Sequence, residues 1–257
     1  MQFSVKSDLK NFYNNQAKKY SDTRKKYRSD SKYILDEINI FAKMKGKKYK
    51  VKILEFGCGS GRLLDNINLD NINLDYVGVD ISNKLLDIAK NKFKKNKFKF
   101  ICDDIINYVK GLEQESFDFV VGLASFQHIE KNKEKFLLMK NFYRILKYDG
   151  KLMMLNWSFS KWFIKKFRIQ ILNSFGKFII SFGKKDWKNI FIPRTDRNKV
   201  FHRFYHIYTI KELKKLVLMS GFLVRKLGYL DKKGNYINNW IDSKNSILIV
   251  EKNVFEN

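Results

Sequence analysis

Three glycines alternate along Gly57-Cys58-Gly59-Ser60-Gly61, two residues after the carboxylate of Glu55 and at the end of the apolar run Val51–Phe56. Glycines at the carboxyl end of a strand let the backbone turn sharply and approach a ligand where side chains would block it. Two later apolar runs also end in acids: Asp80 closes Gly78-Val79-Asp80, 19 residues beyond Gly61, and Asp103 and Asp104 follow Cys102. A carboxylate at the first of these tips can accept from both hydroxyls of a ribose. A Gly-x-Gly-x-x-Gly loop would hold a dinucleotide's pyrophosphate at a helix N-terminus, but here the third glycine comes one residue early.

These residues need elements to position them. Apolar and aromatic residues at helical spacing predict helices over 10–20 and 31–41, within an N-terminal helical cover of residues 1–50. Strands are predicted at Val51–Phe56, 75–79, 98–102, Phe117–Leu123 and 151–156. Helices are expected from Arg62 onward, over 83–93 with Ser82 as N-cap, and over 134–146. Such alternation implies an α/β, doubly wound, mostly parallel sheet with right-handed crossovers. The rhythm breaks after the fifth strand, where residues 156–208 form an aromatic, basic insertion containing Pro193, the sole proline. A helix over 210–220 and strands over 222–229 and 247–250 complete a seven-stranded sheet in a single domain of residues 1–257. The unit Asn-Ile-Asn-Leu-Asp occurs at 66–70 and again at 71–75. A duplicated loop accounts for it, since a repeat array needs longer and more numerous units.

The segment Leu54-Glu55-Phe56-Gly57-Cys58-Gly59-Ser60-Gly61-Arg62 resembles motif one of class I S-adenosylmethionine-dependent methyltransferases, of the type 11-like group. The resemblance implies a Rossmann-like methyltransferase fold with S-adenosyl-L-methionine as cofactor. In that family the loop holds the methionine half of the donor. Asp80 then takes the ribose, Asp103 the adenine amino group, the backbone N–H of Asp104 the adenine ring, and Ile81 and Leu85 enclose the base. Glu55, Gly57, Cys58, Gly59, Gly61 and Ser125 complete the implied donor site. Tyr13, Tyr20 and Arg24 resemble the helix that covers the donor, with Arg24 meeting its carboxylate. The run from Phe117 to Ile129 resembles motif four, which sets Ser125 to His128 beside the methyl group. His128 either orients the acceptor, acts as a base, or packs as a fixed neutral histidine. A nicotinamide-dependent oxidoreductase is the competing reading, disfavoured by the glycine spacing and by the 117–129 segment.

Arg203-Phe204-Tyr205-His206, followed by Glu212-Leu213, resembles the Arg-Tyr-Tyr-His segment and Glu-Leu helix of tRNA wobble-uridine carboxymethyl methyltransferases. Those enzymes esterify a carboxylate, which is already ionised at neutral pH and needs alignment and dehydration rather than a base. The resemblance implies catalytic roles for His128, Arg203, Tyr205 and His206. Arg203 would hold the carboxylate by a charge-assisted fork, and Tyr205 or His206 would bond or stack on the base. An aromatic strand that merely packs this insertion onto the sheet is the alternative.

The formal net charge is +26, and its placement is uneven. Residues 51–155 carry 17 basic and 14 acidic side chains, whereas residues 1–50 carry 14 and 5, and residues 156–210 carry 12 and 2. Basic flanks attract a polyanion and release counterions on binding, so RNA, above all tRNA, is an expected partner. A lysine- and asparagine-rich codon bias is the compositional alternative. A small activating protein subunit is a further expected partner. No metal is expected, because Cys58 and Cys102 have neither metal-ligand nor disulfide spacing. No apolar run reaches about 18 residues and the start has no apolar h-region, so no membrane partner is expected and the location is read as cytoplasmic. The competing functions are a small-molecule methyltransferase acting on a quinone precursor or other metabolite, and a non-catalytic RNA-binding protein.

Overall fold

The computed structural model describes residues 5–23, 29–96, 98–196 and 199–252. Three helices come first: α1 (Val5–Asn15), α2 (Ala17–Asp22) and α3 (Lys32–Lys45). The sheet then begins with β1 (Val51–Phe56), β2 (Leu74–Asp80), α4 (Asn83–Lys92), β3 (Lys99–Cys102) and a single helical turn, α5 (Ile105–Tyr108). It continues through β4 (Phe117–Leu123), α6 (Asn132–Ile145) and β5 (Leu146–Trp157). Next come α7 (Lys161–Ile180) and a separate antiparallel hairpin of β6 (Asn189–Asp196) and β7 (Lys199–His206). The chain closes with α8 (Ile210–Met219), β8 (Phe222–Leu230), β9 (Tyr236–Ile237) and β10 (Asn245–Lys252).

The main sheet runs in the order β3-β2-β1-β4-β5-β10-β8-β9. Its first five strands are mutually parallel, and β10 is antiparallel to both β5 and β8. The sheet therefore has eight strands, one more than expected. The extra strand is the two-residue β9, which pairs with the end of β8. The chain reverses its direction of travel across the sheet between β1 and β4, which is where open α/β sheets place ligands.

Strand alternation sorts the core onto the two faces of the sheet. Ile53, Val121, Met153 and Ile249 pack with Ile34, Ile38 and Leu86 of α3 and α4. Leu54, Val120, Leu152 and Leu248 face Phe142 of α6 and Leu213 of α8. A third, smaller cluster joins Phe163 and Phe167 of α7 to Ile190, Ile192 and Tyr205 of the hairpin.

Other expectations change too. No helix follows Arg62; only a 3-10 turn forms at Leu64–Asn66. Asn66 donates to the Arg62 carbonyl (2.8 Å) and Asp70 N–H to Asn68 Oδ1 (3.2 Å), the local bonding by which Asn diverts backbone from a helix. The long helix α7 lies in the first half of the insertion, where no helix was foreseen. Ser160 caps it by accepting from the Phe163 N–H (3.2 Å), and it kinks at Phe167. Among the described residues no helix is long and apolar enough to cross a membrane.

Candidate active site

The turn after β1 is built from backbone. Gly57, Gly59 and Gly61 have φ of 66°, 55° and 81°, the left-handed region that residues with a Cβ rarely adopt. A Cβ on Gly57 would also lie 2.2 Å from Ser125 Oγ, so the loops after β1 and β4 touch only because no side chain intervenes. The Gly57 N–H donates to the Val79 carbonyl (2.7 Å). The Gly59 N–H donates to Asp80 Oδ2 (2.9 Å), and the Ser82 N–H to Asp80 Oδ1 (2.8 Å). Burial pushes the Asp80 carboxyl up, and these backbone donors pull against it.

A cavity open to solvent lies against this turn. Its floor and sides are Phe56, Gly57, Gly59, Val79, Asp80, Ile81, Leu85, Asp103, Asp104, Ile105 and Ile106. The β4 end contributes Leu123, Ala124, Ser125, His128 and Ile129. Lys6, Leu9, Tyr13 and Tyr20 cover it from α1 and α2. Asn14 fastens that cover by accepting from Ser82 Oγ (2.7 Å) and the Lys84 N–H (3.3 Å) at the start of α4. An acid, a positive-φ glycine cradle and apolar walls thus meet in one space, which suits the ribose, amino-acid and adenine parts of S-adenosylmethionine.

Of the expected donor residues, Gly57, Gly59, Asp80, Ile81, Leu85, Asp103, Asp104 and Ser125 line the cavity, whereas Glu55, Cys58 and Gly61 do not. Glu55 is buried beneath the loop, where it accepts from Tyr76 Oη (2.5 Å). Burial pushes its carboxyl up to about 8, so it is protonated at neutral pH. Cys58 lies under Gly78, where an added Cβ would come within 2.8 Å of its sulfur, and Gly61 backs onto Phe93. The Asp104 N–H, expected on the adenine ring, donates instead to Asp103 Oδ1 (2.7 Å). The Asp104 carboxylate caps α5 and pairs with Lys6 (2.5 Å). Arg24 lies outside the described residues.

His128 carries its proton on Nδ1, which donates to the Phe204 carbonyl (2.8 Å), while Nε2 faces Tyr13 Oη at 3.4 Å. Burial, with the nearby Arg203 charge, pushes His128 down to about 4, so the ring is neutral and a weak base. Its ring lies 4.6 Å from that of Tyr205, which stacks on Trp157 at 4.8 Å and 13°. Arg203 stands behind this wall rather than in the cavity lining. It donates to Tyr205 Oη (2.8 Å) and lies over the Phe12 ring (4.5 Å). Its Nε is buried without a hydrogen-bond partner, and among the described residues it joins no ion pair.

His206 is not part of this arrangement. Alternation along β7 turns it to the face opposite Arg203 and Tyr205. There it is buried, with Nε2 2.7 Å from Glu212 Oε1 and Nδ1 2.6 Å from Asn189 Oδ1. Against its own burial, bonds from His206 and then Lys188 pull Glu212 down to about 2. Asp186, His206 and Glu212 converge like metal ligands, but the Lys188 ammonium is 2.8 Å from Glu212 and 3.5 Å from Asp186 and supplies the positive charge itself. Trp157, Phe12, Lys6 and Leu9 were missed from sequence; nothing in their spacing marks them.

Residues 54–152 match the family described as methyltransferase domain. A malonyl-[acyl-carrier protein] O-methyltransferase of Ilyobacter polytropus is 24% identical over 214 residues, covering 80% of this chain and 77% of that protein. Among solved structures, the magnesium protoporphyrin IX methyltransferase of Synechocystis PCC 6803, with bound S-adenosylmethionine, superposes at a TM-score of 0.59. It is 14% identical, with 98% of this chain and 99% of that chain covered. A chain from the complex of the Haloferax volcanii Trm112 methyltransferase activator with its methyltransferase gives 0.61 at 12% identity, covering 99% and 100%. At these identities the two structures share the fold.

Proposed function

From the premise that this chain is an enzyme, a methyltransferase drawing its methyl group from S-adenosylmethionine, we propose that it forms methyl esters on a carboxylate acceptor. The observation that carries this reading is Arg203, a cation with a buried, unpartnered Nε behind the His128 wall. A half-buried guanidinium without an acid beside it among the described residues has a place for an anion, and a carboxylate matches its planar fork. The low basicity of His128 agrees, because it would extract a proton poorly from a hydroxyl or amine. A carboxylate has no proton to give up at neutral pH.

The donor, when bound, supplies an electrophilic methyl on sulfur that passes to a carboxylate oxygen, leaving S-adenosylhomocysteine with no proton moved. The chain's own part is alignment and exclusion of water. Asp80 and the Gly57–Gly59 backbone fix one end of the donor, Asp103 with Ile81 and Leu85 the other, and Ser125 flanks the reacting carbon. His128 and Tyr205 wall the acceptor, and a small shift of Arg203 from Tyr205 Oη brings its charge to it.

The finer reading is that the carboxylate is the 5-carboxymethyl group of a tRNA wobble uridine. The 14 basic and 5 acidic side chains of residues 1–50, with five basic and two acidic over residues 186–210, support it. The Haloferax neighbour, solved with an activator protein, supports a small activating subunit for this chain too. The Ilyobacter relative supports the competing acceptor, a malonyl group on a carrier protein. The test is incubation with methyl-labelled donor and, in separate arms, total tRNA, a malonyl-carrier protein and a metabolite extract. Label that mild alkali releases as methanol is expected, from the tRNA arm. Alkali-stable label alone would overturn esterification; ester label confined to another arm would overturn only the tRNA assignment.

A further inference from the structure

The helix α7 has two apolar sides, and the fold uses one. Phe163 and Phe167 are buried against the hairpin. On the other side Ile169, Leu172, Phe175, Ile179 and Ile180 are all exposed, Ile180 to 80%, and Phe182 in the following turn to 94%. Phe182 also has φ of 51°, an uncommon backbone state for a bulky residue. A row of large exposed apolar side chains on one helix marks an interaction surface.

Charge identifies the partner. Residues 157–185 contain seven basic side chains and no acid. Lys165, Lys166 and Arg168 precede the apolar row, Lys184 and Lys185 follow it, and all five are exposed. A second copy of the chain would bring the same uncompensated cations face to face. A nucleic acid would meet the cations but leave the apolar row in water. A bilayer surface with anionic headgroups satisfies both, apolar side chains entering the acyl boundary while lysines extend to the headgroups. Trp162, exposed beneath Lys166 Nζ (4.8 Å to the ring centre), suits the same boundary.

We infer that the exposed face of α7 and the Phe182 turn dock on an anionic lipid surface, lying on the bilayer without crossing it. This replaces the expectation of no membrane partner and does not depend on the acceptor's identity. The docked helix would be joined to the acceptor wall through its buried face, since Trp157 stacks on both Phe167 (6.2 Å, 15°) and Tyr205.

The test is co-sedimentation of the full chain with phosphatidylglycerol-containing vesicles and with phosphatidylcholine vesicles. Binding to the former, weakened by salt, is expected, with partition falling at least about tenfold in the triple variant Leu172→Ser, Ile179→Ser, Phe182→Ser. An unchanged melting curve identifies that variant as folded. Quenching of tryptophan fluorescence by brominated acyl chains is expected too, and should diminish in Trp162→Phe. No sedimentation with anionic vesicles overturns the inference. So does equal sedimentation of parent and folded triple variant, the signature of charge alone. Self-association of the parent that the triple variant abolishes, without vesicle binding, would assign the face to a second copy instead.

Discussion

The turn after β1 lines the cavity and the β6–β7 hairpin stands behind its His128 wall, and the two are made of different material. Backbone builds the first: left-handed glycines, N–H groups aimed at Asp80, and strand tips in a segment of nearly balanced charge. Side chains build the second: Tyr205, stacked on Trp157 and tilted against His128, with Arg203 donating to its hydroxyl, in a segment with a large basic excess. A site made of backbone admits few residue types at each position, because φ and the absence of a Cβ are fixed requirements. A site made of side chains depends on which face of a strand each one takes and on what a neighbouring helix leaves exposed. The first constrains what the protein can bind; the second leaves room for one fold to serve different acceptors.

The sharpest way to break this division is Asp80→Ala. It strands the N–H groups of Gly59 and Ser82 and removes the ribose acceptor. Losing two charge-assisted bonds predicts a donor Kd weaker by roughly 100-fold or more, read by calorimetry. Unchanged affinity would refute the donor assignment. Next in size, Arg203→Ala is expected to lower kcat/KM for the acceptor by about 10- to 100-fold while donor Kd holds. Arg203→Lys should recover only part, since an ammonium keeps the charge without the fork. A parallel loss of donor affinity would show that the two regions act as one.

The last test concerns two acids, the buried Glu55 and the half-buried Glu212, that respond to pH in opposite directions. Glu55 titrates at about 8 in the folded chain against an ordinary 4.5, so the folded state keeps a proton that the unfolded state has released. Its contribution is complete below about 4.5, declines as pH rises, and is gone above about 8. Glu212 is depressed to about 2, so its contribution is present above 4.5 and disappears as pH falls toward 2. Urea unfolding across this range should therefore show Glu55→Gln flattening the slope between about 4.5 and 8 and Glu212→Gln the slope below 4.5. A Glu55→Gln curve parallel to the parent's would mean that Glu55 is ionised in the native state.

What could be read from sequence follows the same division. The Gly57–Gly61 spacing and the acids Asp80 and Asp103 were legible because a tight turn and strand ends restrict residue type locally. Glu55 was misplaced: an acid near a glycine loop looks like a ligand, and only the packed Tyr76 reveals it as a protonated group under the turn. The aromatic-strand alternative for this segment already separates His206 from Arg203 and Tyr205, because alternation puts them on opposite faces. The helix α7 escaped because apolar residues on two sides leave no single stripe at helical spacing. The expected helix after Arg62 failed for the reverse reason, since asparagines supplied local bonds that a periodicity count ignores.

The ends of the main sheet bear on how this chain behaves when crowded. One rim is β3, four residues long, and the other is β9, only two. Beside β9, Tyr236 Oη donates to the Leu227 carbonyl (2.9 Å) and its ring fills the space over Gly228. Yet β9 pairs only Tyr229 and Leu230 of the nine-residue β8, so Phe222–Gly228 keep a main-chain edge on which a neighbouring strand can build, stopped by Tyr236 at the Leu227 carbonyl alone.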